Sequence, residues 1–306
     1  MKNILFTGGG GAGNEAIFRI LSDDYEMHFA DADLSAISPL IPEEFRHEIP
    51  YAVSSGFIDN INTLCSKYKI DLVIPGVDEE LIKIGNINTP LMLPDVNYVK
   101  NMLDKYTCNH ILTDLGIVAP KTTLISDYKS NNWSYFPCIA KPRSGRGSRN
   151  VYIIESERQI DAYLSLTGIN DNESVLQEKI IGVEYTVLVA ADQDANLHAV
   201  VPVRIKSKKG ITISAVIEHN AIIEGACKKI HNQIPTKGCY NIQLILTDDG
   251  AVFPFEINPR ISTTFCMSLE SGIDPIDIYI NKHKSNVMLK YKNEIKLNRY
   301  WFNSFS

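Results

Sequence analysis

The N-terminal segment constrains the fold most strongly, because a short apolar run leads directly into a row of glycines. Residues 3–7 predict a buried β-strand, Gly8 to Gly13 a tight turn, and the apolar spacing over 16–21 a helix. Two further strands are predicted at residues 26–30 and 71–75, and a helix is predicted between them at residues 57–68. This alternation of strands and helices predicts a parallel α/β sheet over residues 1–95.

Beyond residue 95, the pattern changes to closely spaced strands. Residues 97–115 predict a helix that ends at Gly116, and Pro120 begins an extended stretch. Strands are then predicted at residues 138–141, 151–154, 175–178, 185–191, 199–205, 240–247 and 252–256. Such spacing predicts an antiparallel, mixed α+β region. We therefore place a domain boundary near residue 95.

Charge and composition restrict the class of partner. The 306 residues carry a net charge of -6, so the chain lacks the overall positive field that attracts nucleic acid or anionic lipid. The six cysteines lack metal-binding spacing, and no apolar run approaches the roughly 18 residues of a membrane span. We expect a soluble, cytoplasmic protein that binds neither nucleic acid nor membrane. Two basic groups, predicted in glycine-containing loops, suit small anions: Arg143, Arg146 and Arg149, and Lys206, Lys208 and Lys209.

The glycine run has two interpretations. Gly8, Gly10 and Gly13 satisfy the dinucleotide-binding pattern G-x-G-x-x-G, and Asp31 or Asp33 follows about 20 residues later, where a ribose-binding carboxylate stands in that motif. This interpretation predicts an NAD-dependent oxidoreductase. The alternative is a tight turn required by strand–helix packing, or a site for a ligand that is not a nucleotide. The rest of the chain favours the alternative.

A second glycine-containing loop follows the predicted strand that ends at Lys141. Pro142 stops that strand, and residues 143–151 combine backbone donors with positive charge, which suits the terminal phosphates of a nucleotide. A solvated surface hairpin is the alternative. Lys105 lies on a predicted helix about 36 residues earlier, far enough for the chain to fold back and present a second ammonium. An isolated surface lysine is the commoner explanation for such a residue.

The most specific pattern is the segment around Glu256, Asn258 and Arg260. Side chains at alternate positions of a strand share one face, so these three are predicted to point together. Carboxylate and amide oxygens suit Mg²⁺, and an arginine suits a phosphate or acyl phosphate. A hairpin across residues 248–250 would bring Gln243 beside Glu256. An ordinary amphipathic hairpin is the alternative interpretation.

Together, in this order, the motifs resemble the ATP-grasp superfamily, particularly its branch near the large chain of carbamoyl-phosphate synthetase and the pyrrolysine-pathway ligase. The likeness spans essentially the whole chain and also includes residues 73–80, 104–105, 116–120, 177–178 and 182–186. It implies an N-terminal pre-ATP-grasp domain over residues 1–95 and a two-lobed ATP-grasp domain over 96–306. Within the latter, the small lobe would span about 110–180 and the large lobe about 181–306.

The resemblance also implies a role for each site residue. Residues 144–151 would close over the ATP phosphates, the backbone of 178–181 would read adenine, and Glu184 would hold the ribose. The implied ATP-binding residues are Lys105, Lys141, Ser144, Gly145, Gly147, Ser148, Val151, Glu178, Lys179, Ile180, Ile181 and Glu184. Gln243, Glu256 and Asn258 would bind Mg²⁺ or Mn²⁺, while Arg260, Arg204 and Lys141 would be catalytic.

The activity implied by the resemblance is ATP-dependent ligation of a small-molecule carboxylate to an amine through an acyl phosphate, with release of ADP and phosphate. By analogy, a homodimer is expected. The loop's three arginines depart from the more neutral loops of the family, and extra substrate charge would account for them. A small-molecule kinase on the same fold, or a nucleotide-binding regulator without turnover, is the alternative to a ligase.

Overall fold

Three β-sheets organise the protein, and the computed structural model describes residues 1–281 and 287–301. The strands are β1 (Lys2–Thr7), β2 (Tyr25–Asp31), β3 (Arg46–Glu48), β4 (Leu72–Ile74), β5 (Thr122–Leu124), β6 (Cys138–Pro142), β7 (Tyr152–Ile154), β8 (Ser174–Glu178), β9 (Val183–Ala191), β10 (Leu197–Lys209), β11 (Ile211–Ile217), β12 (Gly238–Leu246), β13 (Val252–Asn258) and β14 (Lys296–Asn298). The helices are α1 (Asn14–Leu21), α2 (Phe57–Lys67), α3 (Leu81–Ile84), α4 (Val96–Leu103), α5 (Lys105–Asp114), α6 (Ile160–Thr167), α7 (Ala221–Gln233), α8 (Phe265–Glu270) and α9 (Pro275–Ile280).

The N-terminal sheet is parallel, with the strand order β3-β2-β1-β4. Alternate residues of β1 are buried on opposite faces: Leu5 packs with α2, whereas Phe6 stacks on Phe29 with ring centroids 5.2 Å apart. Burial of both faces explains why β1 reads as a continuous apolar run. The parallel sheet predicted from the sequence is confirmed.

The rest of the chain contains two antiparallel sheets, as predicted. Six strands form one sheet in the order β13-β12-β9-β10-β11-β14, and four form the other in the order β5-β8-β6-β7. One face of the six-stranded sheet packs against the N-terminal domain, and the other packs against α5 and α7. The smaller sheet has its own apolar cluster, which includes α6. No helix within residues 1–281 and 287–301 has the length and apolar character needed to span a bilayer.

Two local predictions were wrong. The single helix predicted over 97–115 is broken into α4 and α5 at Asp104, whose extended backbone and side chain form the N-cap of α5. The group from Lys206 to Lys209 lies at the end of β10 and not in a loop, since the turn forms only at Gly210, which has a φ of +72°. The predicted domain and lobe limits remain predictions, and residues 282–286 and 302–306 of the large lobe lie outside the described residues.

Candidate active site

A cavity of about 1060 Å³ lies where the three sheets meet. The glycine turn after β1 forms one end of it. Lys141 and Gln177 of the four-stranded sheet, together with Thr186 and Glu256 of the six-stranded sheet, also form its walls. The volume is at the upper end of what one small-molecule site usually occupies, roughly 300–1000 Å³. The cavity therefore has room for more than one small ligand.

Lys141 is a buried cation in this cavity. It is 5% exposed, and its Nζ donates a hydrogen bond of 2.9 Å to Oε1 of Gln177 on the adjacent strand β8. Burial lowers the pKa of Lys141 to about 8; the Glu256 carboxylate acts in the opposite direction, and the charge of Lys105 adds to the lowering. A second anion in the cavity, such as a phosphate, would stabilise the charged form.

The break between α4 and α5 places Lys105 in the same cavity as Lys141. Asp104 accepts backbone hydrogen bonds from the first turn of α5 and pairs with Arg143, so the start of this helix is tied to the end of β6. Lys105 is 7% exposed; its Nζ donates to the Gly145 carbonyl at 2.9 Å and lies 4.0 Å from Oε2 of Glu256. The fold therefore brings both predicted lysines to one carboxylate.

The β12–β13 hairpin places the predicted metal ligands beside one another. Gln243 pairs with Glu256 and Asn241 with Asn258 across the two strands, as the sequence predicted for the first pair. Gln243, Glu256 and Asn258 all line the cavity. Within the described part of the chain, no cluster of three or more His, Cys, Asp or Glu side chains could hold a metal. One carboxylate with amide oxygens fits Mg²⁺, which takes few protein ligands and completes its shell with phosphate and water.

The two predicted catalytic arginines have different positions. Arg260 lines the cavity, donates from Nε to Asp78 of the N-terminal domain and donates from Nη1 to the Ile261 carbonyl at 2.9 Å. Arg204 is not brought to the cavity: the adjacent Ile205 lines it, and side chains of a strand alternate between faces. Arg204 lies on the other face with its Nη1 3.6 Å from Oε2 of Glu218, and we assign it no catalytic role.

The loop after β6 lines the cavity through all five of its predicted nucleotide-binding residues: Ser144, Gly145, Gly147, Ser148 and Val151. Gly145 and Gly147 have positive φ angles of +123° and +70°, which explains the glycines there. Two of the arginines pair with protein carboxylates, Arg143 with Asp104 and Arg146 with Glu79. The positive charges of these two arginines are therefore paired with carboxylates of the protein itself. Of the three arginines in the loop, Arg149 is the one that still fits the expectation of a substrate with extra charge.

Comparisons with known proteins agree with this architecture. Residues 170–299 match the family model described as ATP-grasp in the biosynthetic pathway with Ter operon. The chain is 19% identical over 279 residues to a carbamoyl-phosphate synthase of Methanobrevibacter smithii, covering 79% of this chain and 74% of that protein. It is 25% identical over 178 residues to a D-alanine–D-alanine ligase of Lawsonia intracellularis, covering 51% of this chain and 57% of the relative.

A solved structure extends the likeness to nearly the whole chain. It is the biotin carboxylase domain dimer of the 2-oxoglutarate carboxylase of Hydrogenobacter thermophilus, in complex with MgADP, ADP and bicarbonate. The TM-score is 0.71 at 13% identity, over 96% of this chain and 73% of that chain. The protein has the ATP-grasp fold. The fold predicted from the sequence, including the N-terminal parallel domain, is confirmed.

The segment that links the two antiparallel sheets of this ATP-grasp fold is only partly directed into the cavity. Glu178, Ile180 and Glu184 line it, whereas Lys179 and Ile181 do not, and Ile181 is 75% exposed. Oε2 of Glu178 accepts a hydrogen bond of 3.1 Å from the Lys121 amide. The structure therefore does not bring Lys179 and Ile181, two predicted nucleotide-binding residues, to the cavity.

Two groups at this cavity were not predicted as site residues from the sequence. Lys208 lines the cavity and forms an ion pair with Glu184, although the sequence placed it in a loop. Asp78 and Glu79, in a segment noted only for its resemblance, hold Arg260 and Arg146. Regular alternation from Ile205 would put Lys208 on the opposite face, and the register shifts of β10 between residues 205 and 208 bring it to the cavity instead. No local pattern pairs Asp78 and Glu79 with arginines so distant along the chain.

The N-terminal glycine turn is closed by its own hydrogen bonds. The Gly10 amide donates to Oδ2 of Asp31 at 2.9 Å, and the amides of Gly9 and Gly11 donate to main-chain carbonyls at 2.8 and 2.9 Å. A Cβ on Gly10 would lie 2.6 Å from the Cβ of Ala36. Close packing thus requires the glycine, and Asp31 is used by the turn itself, which supports the packing interpretation over dinucleotide binding.

Proposed function

We propose that this ATP-grasp protein is an ATP-dependent carboxylate–amine ligase that works through an acyl phosphate. The observation that carries the proposal is the convergence of two buried ammonium groups, Lys105 and Lys141, on the oxygen ligands of β13 within one large cavity. The carbamoyl-phosphate synthase and D-alanine–D-alanine ligase relatives support the ligase class.

ATP would lie between the two antiparallel sheets. Lys105 and Lys141 would contact its phosphates, because both are buried cations that line the cavity and interact with the Glu256 carboxylate. The loop 144–151 would cover the phosphates, and its neighbour Lys105 already donates to the Gly145 carbonyl. The main chain of residues 178–181 would read adenine. Glu184 would bind the ribose hydroxyls by exchanging its present partner, Lys208.

Gln243, Glu256 and Asn258 would hold Mg²⁺ together with phosphate oxygens, and the MgADP of the biotin carboxylase structure supports this choice of ion. The ion would supply charge neutralisation at the transferred phosphoryl group. The Glu256 side chain is only 16% exposed, so its charge is weakly screened by solvent and acts strongly on the metal and on Lys105.

The chain's own groups would favour the reaction by positioning and electrostatics. A substrate carboxylate oxygen would attack the γ-phosphorus, and the bond between that phosphorus and the bridging oxygen would break to release ADP. Lys141 and Arg260 would stabilise the transferred charge. An amine would then attack the acyl carbon, phosphate would leave with the C–O bond pair, and the nitrogen would lose a proton. The loop 144–151 would exclude water, which otherwise hydrolyses an acyl phosphate.

A small-molecule carboxylate and a small-molecule amine are the proposed substrates. A cytoplasmic location is also proposed, because all six cysteines are free thiols. The homodimer expected by analogy remains a prediction. Light scattering would measure the oligomeric state of the protein in solution.

The test is release of ADP and phosphate from Mg·ATP with pooled carboxylates and amines, followed by mass spectrometry of the products. We expect turnover that requires both substrates, yields a condensed product and is lost in Glu256→Ala. Glu270→Ala, an exposed glutamate on α8, is the matched control and should retain full turnover. A stable phosphorylated acceptor would identify a kinase instead, and an absence of ATP binding would reject the proposal.

A further inference from the structure

The end of the cavity that the N-terminal domain forms has an apolar rim. Tyr51, Ala52 and Val53 line it on the segment between β3 and α2, and Phe57 closes it at the start of α2. Tyr51 is 66% exposed and Val53 83% exposed. Large apolar side chains that stand in solvent beside a cavity are typical of a surface that contacts a ligand.

The same end carries two carboxylates that have no cationic partner in the described part of the chain. Asp31 accepts hydrogen bonds from the amides of Gly10 and Asp33, at 2.9 and 3.1 Å. Glu80 is 4% exposed and accepts from the Thr7 hydroxyl and from the amides of residues 76 and 77. Both line the cavity. The neighbouring carboxylates differ, because Asp78 pairs with Arg260 and Glu79 with Arg146.

These two carboxylates are close enough to affect each other. Burial raises the pKa of Glu80 to about 7 against the opposing effect of its hydrogen bonds from Thr7 and the amides of residues 76 and 77, and the charge of Asp31 makes a smaller contribution to the rise. In the glycine turn beside them, the amides of residues 9, 10 and 11 are already bonded within the protein and are not free to bind an anion. The charge at this end therefore favours a cation and disfavours a phosphate or carboxylate.

We propose that this end of the cavity binds the amine substrate, as an ammonium facing Asp31 and Glu80 with an apolar body against Tyr51 and Val53. The inference rests on the proposed ligase function, whose second substrate it describes. It places the nitrogen where the N-terminal domain lines the cavity, close to Arg260, whose partner Asp78 lies two residues before Glu80. The preferred amine is one without a carboxylate or phosphate next to the nitrogen.

The experiment uses phenethylammonium as the probe and 3-phenylpropionate as a probe with the same apolar body and the opposite charge. Binding of each to the full chain is measured by titration calorimetry, alongside ATP binding. We expect the ammonium to bind at least about tenfold more tightly than the carboxylate. Asp31→Asn, whose amide oxygen can still accept from Gly10, should weaken the ammonium about tenfold, and Tyr51→Ser should weaken it roughly fivefold.

Leu40→Ser is the control, because Leu40 is 59% exposed and does not line the cavity. It should bind the probe as the wild type does. Equal binding of the two probes, or ammonium binding unchanged in both Asp31→Asn and Tyr51→Ser, would overturn the inference. If either result is found while the wild type still binds ATP, the amine-site inference fails and the proposed ligase function stands. If the wild type does not bind ATP, the ligase function itself is rejected. Because Tyr51 is largely exposed, we expect Tyr51→Ser to fold even if Asp31→Asn does not.

Discussion

The pKa of Lys141 makes ATP affinity depend on pH in an accessible range. Its pKa is about 8 because the ammonium is buried, against an ordinary value near 10.5. Between pH 7.5 and 9.5 the residue should lose its proton in the free protein, whereas bound phosphate favours the charged form. We therefore expect ATP to bind more weakly as the pH rises.

The size of the effect follows from the protonated fraction. If only the ammonium form binds ATP, a pKa of about 8 gives a roughly 25-fold loss of affinity from pH 7.5 to 9.5, and an unshifted lysine gives almost none. Stability should change in the opposite direction. The folded pKa lies below the unfolded one, so the unfolded chain binds more protons between pH 8 and 10.5, and the free protein becomes more stable across that window.

The assay is equilibrium binding of ATP in EDTA, which removes any metal contribution from the profile. Phosphate groups, with a last pKa of about 6, are fully ionised over this range. Lys141→Met should bind weakly at every pH, with a flat profile. Lys100→Arg, at an exposed position of α4, should retain the wild-type slope. A flat wild-type profile, or the same slope in Lys141→Met, would refute the reasoning.

Two further predictions concern the N-terminal domain and the loop. Gly10→Ala places a Cβ 2.6 Å from that of Ala36 and should lower the free energy of unfolding, measured by thermal unfolding, by about 1–3 kcal/mol. The new Cβ of Gly56→Ala meets nothing within 4 Å, so this variant should not lose stability. Equal losses in the two variants would contradict the packing argument. Arg146→Ala and Glu79→Ala should each raise the KM for ATP by up to about fivefold, since a partly exposed ion pair contributes roughly 1 kcal/mol or less. The double variant should lose no more than either single one; fully additive losses would show that the two residues act separately.

The sequence alone was sufficient where the deciding interactions are local. Strand–glycine–helix order predicts the parallel sheet, and the short Asp-Asp-Gly turn predicts the β12–β13 hairpin. The exact pairing of Gln243 with Glu256 also needs the register shift between Gln243 and Leu244. Side-chain alternation within β13 likewise groups Glu256 with Asn258. Each of these depends on residues a few positions apart, so periodicity and turn chemistry carry the information.

Tertiary structure decided which face and which partner each charged residue has. Periodicity separates Arg204 from Ile205 but does not say which face meets the cavity, since that depends on how the sheet packs against the N-terminal domain. The pairing of Arg260 with Asp78 joins residues 182 positions apart, and that of Arg146 with Glu79 joins residues 67 apart. Short-range sequence patterns contain no record of such contacts, because only the folded chain brings those charges together.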